Sequence, residues 1–331
     1  MTQQQDVTVR LDDRIRLMSA VLTMTYWPER AQETKPHGTH AHSRATRKFL
    51  EPFKKHEAVA GMASLLDAGA PLEAIFTLAL QLRWPTLETT ELPRWAPPRW
   101  NEQLHDFYET SGLAKFWRDE DYSWQSSVKE SNKMFKPITF KPFLKPFFGD
   151  VPEGLVFIPN ISNPTDQDIG VRFQNELICI APPRLAWGDS APWPFDEDAA
   201  YISRTALSQY GRLLMHRFLR ENAEAIAPLT TTTLPVSDQF RARYSTWQEQ
   251  FTSLFVAGAS ALYLEEHVSK AEANAYVLME RKTQGMVVLP GMVSVLRRYL
   301  SEYAGGRYTR LLDFLPAFPK QIRVAAKIAS L

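Results

Sequence analysis

A single cysteine, Cys179, stands in the whole chain, which excludes an intramolecular disulfide framework. It lies in the apolar run Leu177-Ile178-Cys179-Ile180, a setting for a buried, inert thiol rather than a nucleophile. Long hydrophobic runs are missing as well. No stretch reaches the ~18 apolar residues that a membrane span needs. The opening Met1-Thr2-Gln3-Gln4-Gln5-Asp6 lacks the apolar core of a signal peptide, so cytoplasm is the expected compartment. Nor is there an excess of either charge: 38 basic residues against 37 acidic ones give a net +1, so no nucleic-acid partner is expected. The 14 glycines are scattered and build no phosphate-cradling loop, and Gly305-Gly306 reads as a helix terminator. A Gly-x-Ser-x-Gly elbow is absent, which argues against a serine hydrolase of that design.

What the chain does have is enough apolar residues, 44% over 331 positions, to bury one large core or two of ordinary size. The first part reads as helices punctuated by proline: Asp12–Tyr26, Arg44–Lys55, Glu57–Asp67, Pro71–Leu82 and, after the break Trp95-Ala96-Pro97-Pro98, Asn101–Thr110. Between the first two, the polar stretch Glu29–Ser43 reads as a solvated loop. Its His37, His40 and His42 invite a metal reading, but no carboxylate partners or fixed scaffold accompany them. His56, His105 and His267 are scattered and read as ordinary histidines.

Lys136-Pro137, Lys141-Pro142 and Lys145-Pro146 alternate with Phe140, Phe143 and Phe147. Lysines beside aromatics suit single-stranded nucleic acid, yet proline spacing and a neutral charge balance favour a packed connector. The middle then turns to β-branched residues: Gly154–Pro159 and Ile169–Ile180 predict two or three strands, with a turn near Asn163-Pro164-Thr165-Asp166. A Pro- and Trp-rich segment, 181–198, ends in Asp196-Glu197-Asp198, which suits the start of a helix. Helices are predicted again at 199–223, 245–267, 270–283, 291–303 and about 309–315.

On an ideal helix over 199–219, Ile202, Ala206, Leu207, Tyr210, Leu213, Leu214 and Phe218 share one broad face. Thr205, Ser208, Gln209, Arg212 and His216 form a polar stripe on another. Strands, a proline-rich loop, this helix and a very apolar second helix follow in the order of a zincin.

The chain here resembles a bacterial family of gluzincin-like HExxH metallopeptidases with a helical region ahead of the zinc helix. Phe53-Lys54-Lys55-His56-Glu57-Ala58-Val59 resembles that family's His-Pro-Ala-Val segment, and Phe147–Asp150 with Leu155–Pro159 its helix end and first strand. Leu207–Arg212, with Glu221-Asn222 downstream, falls where the zinc helix lies, and Trp247–Ala259 resembles the helix of the third ligand. Gln284–Pro290 and Tyr308–Phe314 resemble the C-terminal stretch, so the likeness runs over about 45–320.

In an HExxH helix two histidines one turn apart bind zinc, the intervening glutamate activates water, and a third protein ligand completes an open site. The resemblance puts Ser208 in place of the first histidine, Gln209 in place of the glutamate, Arg212 in place of the second histidine and Ser253 in place of the third ligand. A serine hydroxyl is a poor zinc ligand, glutamine takes no proton, and arginine brings a fixed cation to the spot where the metal would sit. No HExxH occurs elsewhere.

The expectation is therefore an α+β, predominantly helical fold: an N-terminal helical region, 1–146, and a degenerate zincin-like domain with a small sheet, 147–331. No metal or cofactor is expected. Arg212 is expected to stand in for zinc by bonding Gln209, Ser208 or Ser253. The function implied is that of a catalytically inactive pseudopeptidase that binds a peptide or protein in a cleft lined by Thr205, His216 and Glu249. Two alternatives stay open: an active hydrolase with a metal set built on His216 and Glu249, and a structural or assembly subunit marked by an exposed apolar patch.

Overall fold

The computed structural model describes residues 5–34, 40–184, 194–318 and 320–322. It divides into two compact units: a sheet unit, Val7–Pro137 with Gly154–Asp198, and a helical unit, Met1–Asp6, Ile138–Glu153 and Ala199–Leu331. This grouping differs from a division into 1–146 and 147–331. The reason is the first strand, which pairs with the strands of the middle segment and so joins them to the N-terminal helices.

The sheet unit opens with β1 (Val7–Val9), followed by α1 (Asp13–Thr23), α2 (Trp27–Thr34), α3 (Ala41–Leu50), α4 (Glu57–Asp67) and α5 (Leu72–Gln81). Then come α6 (Trp100–Ser111), α7 (Leu113–Asp119), α8 (Asp121–Phe135) and the strands β2 (Gly154–Pro159), β3 (Ile169–Phe173) and β4 (Glu176–Ala181). The sheet order is β1-β2-β4-β3, with β3 antiparallel and the other pairs parallel. Alternation along the strands sends Val156, Ile158, Ile169, Val171, Ile178 and Ile180 to one face, where they join the core of the N-terminal helices. On the other face Phe157 meets Phe135 at 4.9 Å and Phe195 at 5.9 Å between ring centroids. Cover on both faces explains why β2 and β4 read as unbroken apolar runs. Cys179 is fully buried in β4, and burial pushes its thiol pKa well up, which leaves it unreactive.

Two expectations for this region change. The polar stretch Glu29–Ser43 is not one loop: α2 runs on to Thr34 and α3 starts at Ala41, while His37 lies outside the described residues. Much of the proline-rich segment before residue 194 lies outside them too. His56 has a local duty, since its Nδ1 accepts the Ala58 N–H at 3.1 Å as the N-cap of α4.

The helical unit comprises α9 (Lys141–Phe148), α10 (Ala199–Glu221), α11 (Ala223–Thr230), α12 (Asp238–Arg243), α13 (Trp247–His267), α14 (Lys270–Thr283), α15 (Leu289–Ala304) and α16 (Leu311–Phe314). Of the Lys-Pro repeat read as a connector, Lys141-Pro142 and Lys145-Pro146 fold into helix α9, with Pro142 in its first turn, where a missing N–H costs nothing, while Lys136-Pro137 follows the end of α8. Its Phe147 meets Phe255 at 5.1 Å and Tyr299 at 5.7 Å, and the Tyr299 hydroxyl donates to the Pro146 carbonyl. At the centre runs α13. It starts on a capping box, in which the Thr246 hydroxyl accepts the Glu249 N–H and the Glu249 carboxylate accepts the Thr246 N–H. Every residue from Gln250 to Leu264 is buried, so the helix is enclosed on all sides.

Candidate functional site

The residues singled out by the gluzincin resemblance lie on α10 and α13. These helices pack antiparallel. The Ser208 and Ser260 hydroxyl oxygens are 3.3 Å apart, and a methyl built on Gly211 would lie 3.6 Å from Val256 Cγ2. Serine and glycine on α10, facing serine and valine on α13, let the backbones approach closely. Continued along both helices, this register sets Ser253 level with Leu214 and Met215, about one turn past Arg212.

That offset separates the residues expected to act together. The Ser208 hydroxyl pairs with Ser260. Among the described residues Ser253 Oγ is buried without a hydrogen-bond partner, and so is the neighbouring Thr252 Oγ1. Arg212 is half-buried and makes no hydrogen bond or ion pair among the described residues. The expected guanidinium bridge from Arg212 to Gln209, Ser208 or Ser253 is therefore not formed among the described residues. Thr205 and Gln209 are buried. This stretch of α10 seats Ser208 of its polar stripe against α13, while His216 stays exposed.

His216 and Glu249, the alternative metal pair, are both exposed. The Glu249 carboxylate is committed to its cap: the Thr246 backbone N–H, ahead of the Thr246 and Ser245 hydroxyls, holds its pKa below the usual range. Among the described residues no three His, Cys, Asp or Glu side chains gather in a way that could hold a metal ion.

Sequence reasoning missed a different concentration of polar groups, in the sheet unit. Arg16 of α1 is only 8% exposed, and its guanidinium carbon lies 4.3 Å from the ring centroids of both Trp117 and Trp124. Its Nη1 donates to Asp13 at 2.9 Å, whereas Nε and Nη2 are buried without hydrogen-bond partners among the described residues. Burial lowers its pKa, with Asp13, Glu120 and Asp121 acting the other way. Glu120 in turn meets His42 Nδ1 through Oε1 at 3.2 Å, and its Oε2 is buried and unpartnered. A cation clamped between two indoles ties α1 to α7 and α8, with a desolvated cation–π contact on each face. The sequence signal was present but faint: an arginine inside the apolar run Ile15-Arg16-Leu17-Met18.

No protein-family model, curated protein or solved structure matches this chain, so the likeness to the gluzincins stands on the quoted motifs alone.

Proposed function

We propose that this chain is a non-catalytic relative of the metallopeptidases it resembles and that it acts by binding a peptide or a protein partner. The observation that carries the first half is the direct contact of α10 with α13 through Ser208, Ser260, Gly211 and Val256. That contact brings hydroxyls and apolar atoms together where the two helices meet, and no metal ligands. The residue types agree, since Ser208, Gln209, Arg212 and Ser253 supply neither ligands nor a general base. The binding half follows from what the resemblance implies for the scaffold, in which peptide recognition by backbone pairing outlasts the metal.

Zinc content and casein hydrolysis, measured on the purified full-length chain, test the first half. The expected result is zinc far below one per chain and no hydrolysis. Stoichiometric zinc, lost together with hydrolysis in His216→Ala, overturns it in favour of an active enzyme. Selection of a random-peptide phage library on the immobilised chain tests the second half. A peptide consensus is expected, and failure to enrich one removes the peptide reading.

A further inference from the structure

The outer face of α14 carries exposed apolar side chains. Ala271, Asn274, Ala275, Leu278, Met279 and Lys282 are all exposed and recur at the i, i+3, i+4, i+7 spacing of a single helix face. Leu278 is 50% exposed and Met279 38%, and Val287 in the turn that follows is 48% exposed. These are three of the five large hydrophobic side chains that stand out on the described surface. The inner face is separate and already occupied, with Ala273 and Tyr276 buried. Among the described residues the inner side is covered, whereas Leu278 and Met279 stand exposed on the outer one.

The pattern on the open face is complementary to itself. Alanines sit in its first half and Leu278 and Met279 in its second, while Glu272 lies near one end and Lys282 near the other. An antiparallel pair of such helices centred near Val277 sets Met279 of each copy level with Ala275 of the other. The same register sets Lys282 of each copy level with Glu272 of the other. Large side chains then fall over small ones and opposite charges meet, twice over by symmetry. Within one chain neither carboxylate nor ammonium is used: the Glu272 and Lys282 side chains have no ion pair among the described residues. The net charge of +1 adds little repulsion between copies.

We propose that α14 is a self-association surface at which two copies of this chain pair antiparallel, Leu278 and Met279 over Ala275 and Lys282 beside Glu272. The inference is independent of the peptidase likeness.

Sedimentation velocity of the full chain over a concentration series tests it. The wild type is expected to dimerise. Leu278→Glu should abolish the dimer and leave the far-UV spectrum unchanged, because the side chain is on the surface, and its thermal midpoint should equal that of the wild type at a concentration where the wild type is monomeric. Glu272→Lys and Lys282→Glu singly should each weaken self-association by about tenfold, since both symmetry-related pairs become repulsive. The double exchange should restore it. A chain that stays monomeric at its highest soluble concentration overturns the proposal, as does a dimer that Leu278→Glu and the charge reversals leave intact.

Discussion

Helices α1 and α13 are both enclosed by the units they belong to, but they reach that state by different means. In α1 the hydroxyls are satisfied within the helix: Ser19 donates to the Ile15 carbonyl at 2.9 Å and Thr23 to the Ser19 carbonyl at 2.8 Å. Ser19 also accepts Asn160 Nδ2 at 2.8 Å, which links the helix to the end of β2. Its one charged intruder, Arg16, is clamped between indoles. In α13, by contrast, enclosure comes from small residues that bring neighbouring helices close, and the Thr252 and Ser253 hydroxyls are buried with nothing to bond. Polar residues on a buried helix therefore carry different meanings. In α1 they fix position; in α13 at 252 and 253 they are a residual cost of enclosure.

The largest effect expected from this contrast is at Gly258. A Cβ there would lie 3.0 Å from both Leu296 Cδ1 and Met292 Cγ, and the Met292 backbone stands behind them at 3.7 Å. Gly258→Leu adds carbons where α15 leaves no room and should cost about 2–3 kcal/mol of unfolding free energy, overpacking outweighing the ~1 kcal/mol gain in helix propensity. Gly258→Ala should be close to neutral, because the gain in helix propensity offsets the small shift asked of Leu296 Cδ1, a side-chain end, and of Met292 Cγ, which sits nearer the backbone. Urea unfolding followed by circular dichroism reads both. A tolerated Gly258→Leu would mean that α13 and α15 are not close-packed and that small residues are not what encloses the helix.

On the α1 side the corresponding change is Ser19→Ala. It leaves the Asn160 amide without its best acceptor in a buried site, and should cost about 1–2 kcal/mol in the same measurement. Asn160→Ala should be no worse when combined with Ser19→Ala than alone, since either change removes the same bond. Additive losses would show that the two residues act separately and would break the contrast between the helices.

How much of this was legible beforehand follows from the distance over which each feature is decided. Helix α4 at Glu57–Asp67, β2 at Gly154–Pro159 and α14 at Lys270–Thr283 have the bounds that local periodicity and turn residues predict. Strand β1 was missed because Val7–Val9 is too short to show alternation and owes its state to pairing with Leu155–Phe157. Helix α9 was hidden by its own prolines, which argue against a helix unless one of them falls in the first turn. The candidate site failed to come together for a similar reason. Residue types at 208, 209, 212 and 253 are readable, but the register of α10 on α13 is set by which small residues meet, and nothing near Ser253 in the chain records that its level is Met215 rather than Ser208. Arg16 shows the converse: its chemistry comes from two tryptophans more than a hundred residues along, one on α7 and one on α8.

The smallest effect expected is also the one that bears most directly on the site. Ser253→Ala removes a hydroxyl that is buried without a partner and replaces it by a better helix former, while the Cβ and its packing stay. Unfolding free energy should rise by about 0.5 kcal/mol, opposite in sign to Ser19→Ala on the other enclosed helix. The comparison is chemically clean, since one hydroxyl is deleted from a helix interior in each case. A loss of stability at Ser253 would mean that its hydroxyl has found a donor or acceptor. Repeating the change in an Arg212→Met background would then say whether the guanidinium is that partner. If the loss vanished there, the guanidinium would have to turn toward Ser253, and the zinc-surrogate role of Arg212 would return.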